Sequence, residues 1–127
     1  MELDDPSGML SADEAKAAIA ALPDRILACY VLWDRSLAIP IYVGTARYRS
    51  RLAAHLKKDD LRDGKIGHTH VNPDFYAHVV MQKPGWLGLT YRLYDTEAEA
   101  RESERALIAK HRLRSTGGSL FNRRMAG

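Results

Sequence analysis

Two tyrosines and the basic segment that follows them are the residues of this chain whose types and spacing could do chemistry. Tyr30 and Tyr42 each lie in an apolar, strand-like stretch, and Arg51 and His55 stand four residues apart in a stretch with helical spacing. That spacing places them on one helix face. A guanidinium binds two oxygens of a phosphate, and an imidazole exchanges protons near neutral pH. This set of residues favours phosphate chemistry with assisted proton transfer.

Other catalytic patterns are missing from the sequence. It contains no GxxxxGK[ST], GxGxxG, HExxH or GxSxG motif, so an enzyme with a nucleotide cofactor is not expected. The single cysteine, Cys29, is interpreted as a core residue. His68, His70 and His78 alternate in a way that could suit a transition metal, but no cysteine or carboxylate is in register, which favours a polar loop.

The elements that must position these side chains follow from periodicity and capping signals. In chain order the prediction is a flexible acidic leader at 1–10, a helix from Ser11 to about Leu22, strands at 25–33 and 39–43, a helix at 47–58, a surface loop at 59–73, a strand at 75–82, a strand or extended connection at 87–94, and a helix from Thr96 to about Leu113. Gly44 should end the second strand, and Ala100, Leu107 and Ile108 should line the buried stripe of the last helix.

This order predicts an α/β (α+β) fold: a small sandwich with a central, mainly antiparallel sheet of three to four strands flanked by helices. With 127 residues, 46% of them hydrophobic, the chain should form one domain over 11–127 after the leader. The apolar runs are too short to span a bilayer, and residues 1 to 11 do not resemble a secretory signal. We therefore expect a cytoplasmic protein with no membrane partner.

Basic residues are concentrated after the N-terminal segment. Residues 1 to 24 hold six acidic residues and one lysine, whereas the rest of the chain holds 18 basic and 10 acidic residues. Clustered basic side chains bind polyanions by releasing counterions, so nucleic acid is the expected partner, with a solvated basic face as the alternative. The candidate nucleic-acid-binding residues are Arg47, Arg49, Lys57, Lys58, Lys110, Arg112, Arg114, Arg123 and Arg124.

Five features occur in an order that resembles the GIY-YIG nuclease family. They are Ala28-Cys29-Tyr30 in the position of the first tripeptide, Tyr42-Val43-Gly44 in that of the second, Arg51 and His55 on the following helix, Glu104 in an E-x-x-L-I pattern, and Asn122 after that last helix. Ala28 and Cys29 replace the family's Gly and Ile, while the tyrosine is kept. The features span residues 28 to 122, about three quarters of the chain.

The resemblance implies a metal-dependent endonuclease that hydrolyses DNA phosphodiester bonds. In such a site Glu104 would bind one Mg²⁺ or Mn²⁺, and Arg51 would hold the scissile phosphate. Tyr30 and Tyr42 would line the attacking water, and one of them, helped by His55, would accept its proton. Which tyrosine does so is left open at this point.

The resemblance also gives Asn122 an orienting role through hydrogen bonds, and Gly44 a structural one. Because the chain has no room for a separate DNA-binding domain, we expect weak sequence preference or a protein partner that confers specificity. Two other functions stay open from the sequence. One is a non-catalytic nucleic-acid-binding module that retains the fold, and the other is a protein-interaction domain that uses the acidic leader.

Overall fold

The computed structural model describes residues 2–60 and 73–122 of the chain. Its elements are β1 (Leu10–Ser11), α1 (Ala12–Ala20), β2 (Arg25–Asp34), β3 (Ile39–Tyr48), α2 (Arg49–Leu56), α3 (Pro73–Val80), β4 (Leu87–Leu93) and α4 (Glu97–His111), with 3₁₀ turns at Pro6–Gly8, Lys57–Asp59 and Arg114–Thr116. His68, His70, Arg123, Arg124 and nearly all of the predicted 59–73 loop lie outside the described residues. No described helix is long and apolar enough to cross a membrane.

The four strands form one sheet in the order β1-β4-β2-β3, with every neighbouring pair antiparallel. This confirms the predicted α+β fold class. Both faces of β2 are covered by helices, which explains why its sequence is almost continuously apolar.

Alternate residues of β2 serve two cores. Ala28, Tyr30 and Leu32 pack into a cluster with side chains of α1, α2 and α3, whereas Cys29 and Val31 pack on the opposite face beside α4. Cys29 is fully buried, as predicted, and Ala100, Leu107 and Ile108 form the buried stripe of α4. The side chain of Tyr30, a predicted site residue, therefore projects from the face that α2 covers.

The second strand is longer than the sequence predicted. Gly44 does not end β3, because the strand continues to Tyr48 while pairing with the first half of β2. Thr45 pairs with Cys29, and Tyr48 pairs with Arg25. The consequence is that Gly44 lies in the middle of the hairpin, directly opposite Tyr30.

The predicted strand at 75–82 is wrong, since Pro73–Val80 forms the helix α3. The alternating apolar residues of this segment suggested one strand face. Only Phe75 and Val79 are buried, however, and their spacing of four residues fits a helix equally well. Pro73 stands at the first helical position, where its missing N–H costs nothing.

Both predicted helix starts are present. Ser11 and Glu14 form the reciprocal capping box of α1, and the Thr96 hydroxyl accepts a hydrogen bond from the Glu99 N–H at the start of α4. The helices end slightly earlier than predicted, α1 at Ala20 and α4 at His111. After α4 the backbone turns sharply because Arg112 takes a positive φ of 64°.

The acidic N-terminal segment is packed, not flexible as predicted. Leu3 is 4% exposed and lies in the core beside α4, and its carbonyl accepts a hydrogen bond from the Thr90 hydroxyl. The Asp4 carboxylate accepts hydrogen bonds from Lys110 at 2.6 Å and His111 at 3.0 Å. Residues 10 and 11 then add a short strand to the sheet.

Asp4→Asn should lower the free energy of unfolding near neutral pH, because it removes the negative charge that pairs with Lys110. The loss should be only about 1 kcal/mol, since Lys110 is exposed and solvent screens the pair. The hydrogen bond from Lys110 is the main cause that lowers the pKa of Asp4 below its ordinary value of 3.8. The stabilisation is thus present above that value and is lost as the pH falls through the lower folded pKa. Denaturant unfolding at neutral and at acidic pH measures it, with exposed Glu2→Gln as the control. An equal loss at both pH values would contradict the prediction.

Candidate active site

The hydroxyl of Tyr30 lies at the centre of the candidate site. The side chain is 1% exposed, and its oxygen is 2.6 Å from Nε2 of His55 on α2. The tyrosine ring lies over the backbone of Gly44, where a Cβ atom would come within 2.6 Å of the ring carbon Cζ and closer still to the hydroxyl oxygen. Glycine at position 44 is therefore a condition for the position of Tyr30.

His55 is buried because α2 turns one face toward α1 and β3. Leu52 and His55 stand three residues apart on this face, and the imidazole is 2% exposed. Its ring centroid lies 4.8 Å from that of Tyr30 and 5.9 Å from that of Tyr42. Burial, followed by the charges of Lys58 and Arg51, lowers the pKa of His55 well below its ordinary value. His55 is therefore a neutral imidazole near pH 7.

Tyr42 completes a group of three rings. Its ring centroid is 6.4 Å from that of Tyr30 and 5.6 Å from that of Phe75 on α3, and both pairs are stacked. Burial is the main cause that raises the pKa of both tyrosines, and the charge of Arg51 acts in the opposite direction. Both side chains are consequently phenols near neutral pH, so any role as a base depends on neighbours that stabilise the phenolate.

Arg51 and Glu104 supply the charges around these rings. Arg51 is exposed on α2, and its charge acts on Tyr30, Tyr42 and His55. Glu104 comes from α4, on the opposite face of the sheet, and its charge also acts on both tyrosines. The charges of Arg51 and of Glu104 therefore both act on the two tyrosines.

The carboxylate of Glu104 is half-buried. Burial raises its pKa, and the charges of Arg101 and Arg105 lower it. Within 2–60 and 73–122 this carboxylate has no hydrogen bond and no ion pair, and no three His, Cys, Asp or Glu side chains there cluster as a metal site. One carboxylate without a hydrogen-bond or ion-pair partner among the described residues fits a hard cation such as Mg²⁺, which uses few carboxylates and keeps several waters.

Asn122 binds the backbone of β3 between Tyr42 and Gly44. Its Nδ2 donates to the Val43 carbonyl at 2.7 Å, and its Oδ1 accepts from the Val43 N–H at 3.0 Å. The preceding N–H of Phe121 donates to the carbonyl of Ile41. Asn122 thus fixes the strand that carries two motif residues.

Asn122→Ala should lower the free energy of unfolding by about 1–3 kcal/mol, because it leaves the buried N–H and carbonyl of Val43 without these partners. Chemical denaturation measures the change. Ser119→Ala, in the same segment, is the control and should stay within about 0.5 kcal/mol of the wild type. A stability equal to that of the control would show that the amide does not hold β3.

One predicted nucleic-acid-binding residue is placed wrongly by the sequence argument. Lys58 is 1% exposed, and its Nζ lies 3.1 Å from Nδ1 of His55, so it is not on a DNA-facing surface. Its spacing was the signal that could have revealed this. Leu52, His55 and Lys58 follow one another at intervals of three, which continues the buried face of α2 into the next turn.

The other predicted nucleic-acid-binding residues that the structure describes lie at the surface, and most of them contact a protein group. Lys57 is exposed. The remaining contacts are Arg47 with Glu97, Arg49 with Asp24 and the carbonyls of Ala20 and Leu22, Lys110 with Asp4, Arg112 with the Thr116 carbonyl, and Arg114 over the ring of Phe121. Several of these cations therefore also stabilise the fold.

A cleft beside Asn122 was not foreseen. Its volume is about 680 Å³, and it lies between α3 and the segment that follows α4. His78, Arg114, Phe121 and Asn122 are among its lining residues. The cleft also contains the carboxylate of Asp74, so it offers a polar surface of mixed charge next to the β3 backbone.

Comparisons with protein-family models, with curated proteins and with solved structures found no match for this chain. The resemblance to GIY-YIG nucleases therefore depends on the sequence features alone.

Proposed function

We propose that this chain is a metal-dependent endonuclease that hydrolyses DNA phosphodiester bonds with a GIY-YIG-type site. The observation that carries the proposal is the contact of Tyr30, Gly44 and His55 around one hydroxyl group. Each belongs to a different part of the motif pattern, and Tyr30 and His55 are 25 residues apart. Contact between residues from three parts of the motif pattern supports a shared site, although none of these residues alone indicates a function.

Hydrolysis of a phosphodiester needs a nucleophilic water, neutralisation of charge on the phosphorus centre and help for the departing oxygen. The exposed guanidinium of Arg51 is suited to bind the scissile phosphate beside the rings. Tyr30 and Tyr42 line the position of the water, and one of them takes its proton as the phenolate, after losing its own proton to solvent. Glu104 would hold Mg²⁺ or Mn²⁺, which supplies charge neutralisation when bound.

The substrate class follows from charge. Arg51 and Lys57 are exposed cations on α2 and the turn that follows it, and such side chains are suited to bind the phosphates of DNA. These contacts are to the backbone of the nucleic acid and carry no sequence information directly. We therefore propose a weak sequence preference, or a protein partner that supplies specificity.

Nicking of supercoiled plasmid by the purified protein, with Mg²⁺, with Mn²⁺ and with EDTA, tests the proposal. We expect relaxed plasmid with either metal and none with EDTA. Branched and single-stranded DNA should be assayed in parallel, since the preferred DNA structure is not encoded in the motif. Binding to every substrate without cleavage of any would overturn the nuclease proposal and favour the non-catalytic binding module.

A further inference from the structure

A lysine buried beside the catalytic histidine is the feature that the proposed mechanism does not yet use. Lys58 is 1% exposed, and buried lysines are rare because removing an ammonium from water is costly. Its Nζ is 3.1 Å from Nδ1 of His55, and Nε2 of the same ring is 2.6 Å from the Tyr30 hydroxyl. The three side chains form one line of hydrogen bonds.

The backbone around Lys58 is fixed from outside its own turn. The indole N–H of Trp86 donates to the Lys58 carbonyl at 2.9 Å. The Asp59 carboxylate accepts hydrogen bonds from the N–H groups of Gly85 and Leu87. The turn at 57–59 is thereby attached to the start of β4, and the fold holds the lysine stem against α2.

The direction of the hydrogen bonds follows from what each group can donate. An ammonium has donors and no acceptor, so the bond between Lys58 and His55 requires Nδ1 to be the acceptor. A neutral imidazole then carries its proton on Nε2. That N–H must donate to the oxygen of Tyr30.

We propose that Lys58 is a positioning residue for the hydrolysis: its ammonium fixes His55 as the Nε2–H tautomer, which donates to the Tyr30 oxygen and stabilises it as a proton acceptor. This inference deepens the proposed function and rests on it. It also selects Tyr30 over Tyr42 as the tyrosine that takes the proton of the attacking water, since Tyr30 is the one bonded to His55. Tyr30 acts as the phenolate, after its own phenolic proton has passed to solvent. The phenolate oxygen takes a proton from the attacking water, and the resulting hydroxide forms the new bond to phosphorus. The P–O bond to the leaving oxygen breaks, and that oxygen takes a proton from solvent.

The charges around this line of groups agree with the assignment. Burial, followed by the charge of Arg51, lowers the pKa of Lys58 to about 8, so the ammonium form predominates near neutral pH. In the part of the chain that the structure describes, the charges of Arg51 on α2, Tyr42 on β3 and Glu104 on α4 also act on these side chains. As the pH rises through about 8, Lys58 loses its proton and can accept from Nδ1, which reverses the tautomer.

The test is nitrogen NMR of the protein with ¹⁵N-labelled histidine, which reports the tautomer of each imidazole without any substrate. His55 of the wild type should be the Nε2–H tautomer near neutral pH and should lose that preference above about pH 8. In Lys58→Met, which keeps the length and apolar character of the stem, the preference should be lost at every pH. Lys57→Met removes the same charge from an exposed neighbour and should leave His55 unchanged.

Kinetics provide the second measurement. Lys58→Met should lower kcat for nicking by about 10- to 100-fold with little change in KM, whereas Lys57→Met should affect KM more than kcat. A wild-type Nδ1–H tautomer, or a tautomer unaltered in Lys58→Met, would overturn the inference whether or not DNA is cut. If Lys58→Met does not fold, the wild-type spectrum alone decides. The expected tautomer in a protein that never nicks DNA would overturn the proposed function and leave the hydrogen-bond assignment intact.

Discussion

Glu104→Gln should lower the rate of metal-dependent plasmid nicking by about two orders of magnitude or more, the scale seen when a main electrostatic stabiliser is removed. Glutamine has nearly the same shape but no charge to hold a divalent cation. Because burial raises the pKa of Glu104, ionisation of this group opposes folding above its ordinary pKa, and the amide should not destabilise the protein. The loss should therefore appear in activity, with a thermal midpoint equal to or above that of the wild type.

Glu102→Gln is the matched control for this substitution. Glu102 lies on the same helix, two residues away, and is exposed. The Glu102→Gln protein should nick plasmid at close to the wild-type rate. The Glu104→Gln protein, purified in parallel, also controls for a contaminating nuclease. Wild-type activity in Glu104→Gln would remove this residue from the mechanism and, with it, the proposed metal ligand.

Gly44→Ala should damage both the fold and the site. The added Cβ would lie 2.6 Å from Cζ of Tyr30, whose ring is fully buried and hydrogen-bonded to His55. A tightly packed ring cannot move without disturbing its neighbours, so we expect a loss of about 1–3 kcal/mol in the free energy of unfolding. Displacing the Tyr30 oxygen by about 1 Å should also reduce nicking by roughly 100-fold. Denaturation and plasmid assays measure the two effects separately.

Gly88→Ala provides the comparison, because it adds the same methyl group to another buried strand glycine. There the new atom meets the Cγ of Met9 at 2.6 Å and that of Arg35 at 2.8 Å, both on flexible side chains that can move. We expect a smaller loss of stability and near-normal nicking. Equal stability and equal nicking rates for Gly44→Ala and Gly88→Ala would show that the close approach of Tyr30 to residue 44 does not matter for stability or activity.

Local signals in the sequence were sufficient for much of the fold. Ser11 and Thr96 indicated two helix starts, and a nearly continuous apolar run indicated β2, a central strand of the sheet. The segment of α3 was misjudged because the spacing of Phe75 and Val79 is compatible with both a helix and a strand. Gly44 was misjudged because a glycine inside a strand can reflect a close neighbour instead of a strand end.

The sequence proposed candidate site residues but did not predict the hydrogen bonds between them. The motif order named Tyr30, His55 and Asn122, but their hydrogen bonds depend on strand register and helix packing, which no local pattern specifies. Charge misled the argument at Lys58. A lysine in a basic run is normally solvated, and only the packing of the turn at 57–59 against Trp86 and β4 places it inside.

The bonds between Asn122 and Val43 have a consequence beyond the site. β3 is the outer strand of the sheet, and an outer strand with free backbone groups can recruit a strand from another molecule, which leads to aggregation. Asn122 uses both backbone groups of Val43, and Phe121 uses the carbonyl of Ile41. The same segment that holds β3 thus occupies backbone groups that a strand from another molecule would need along this part of the sheet.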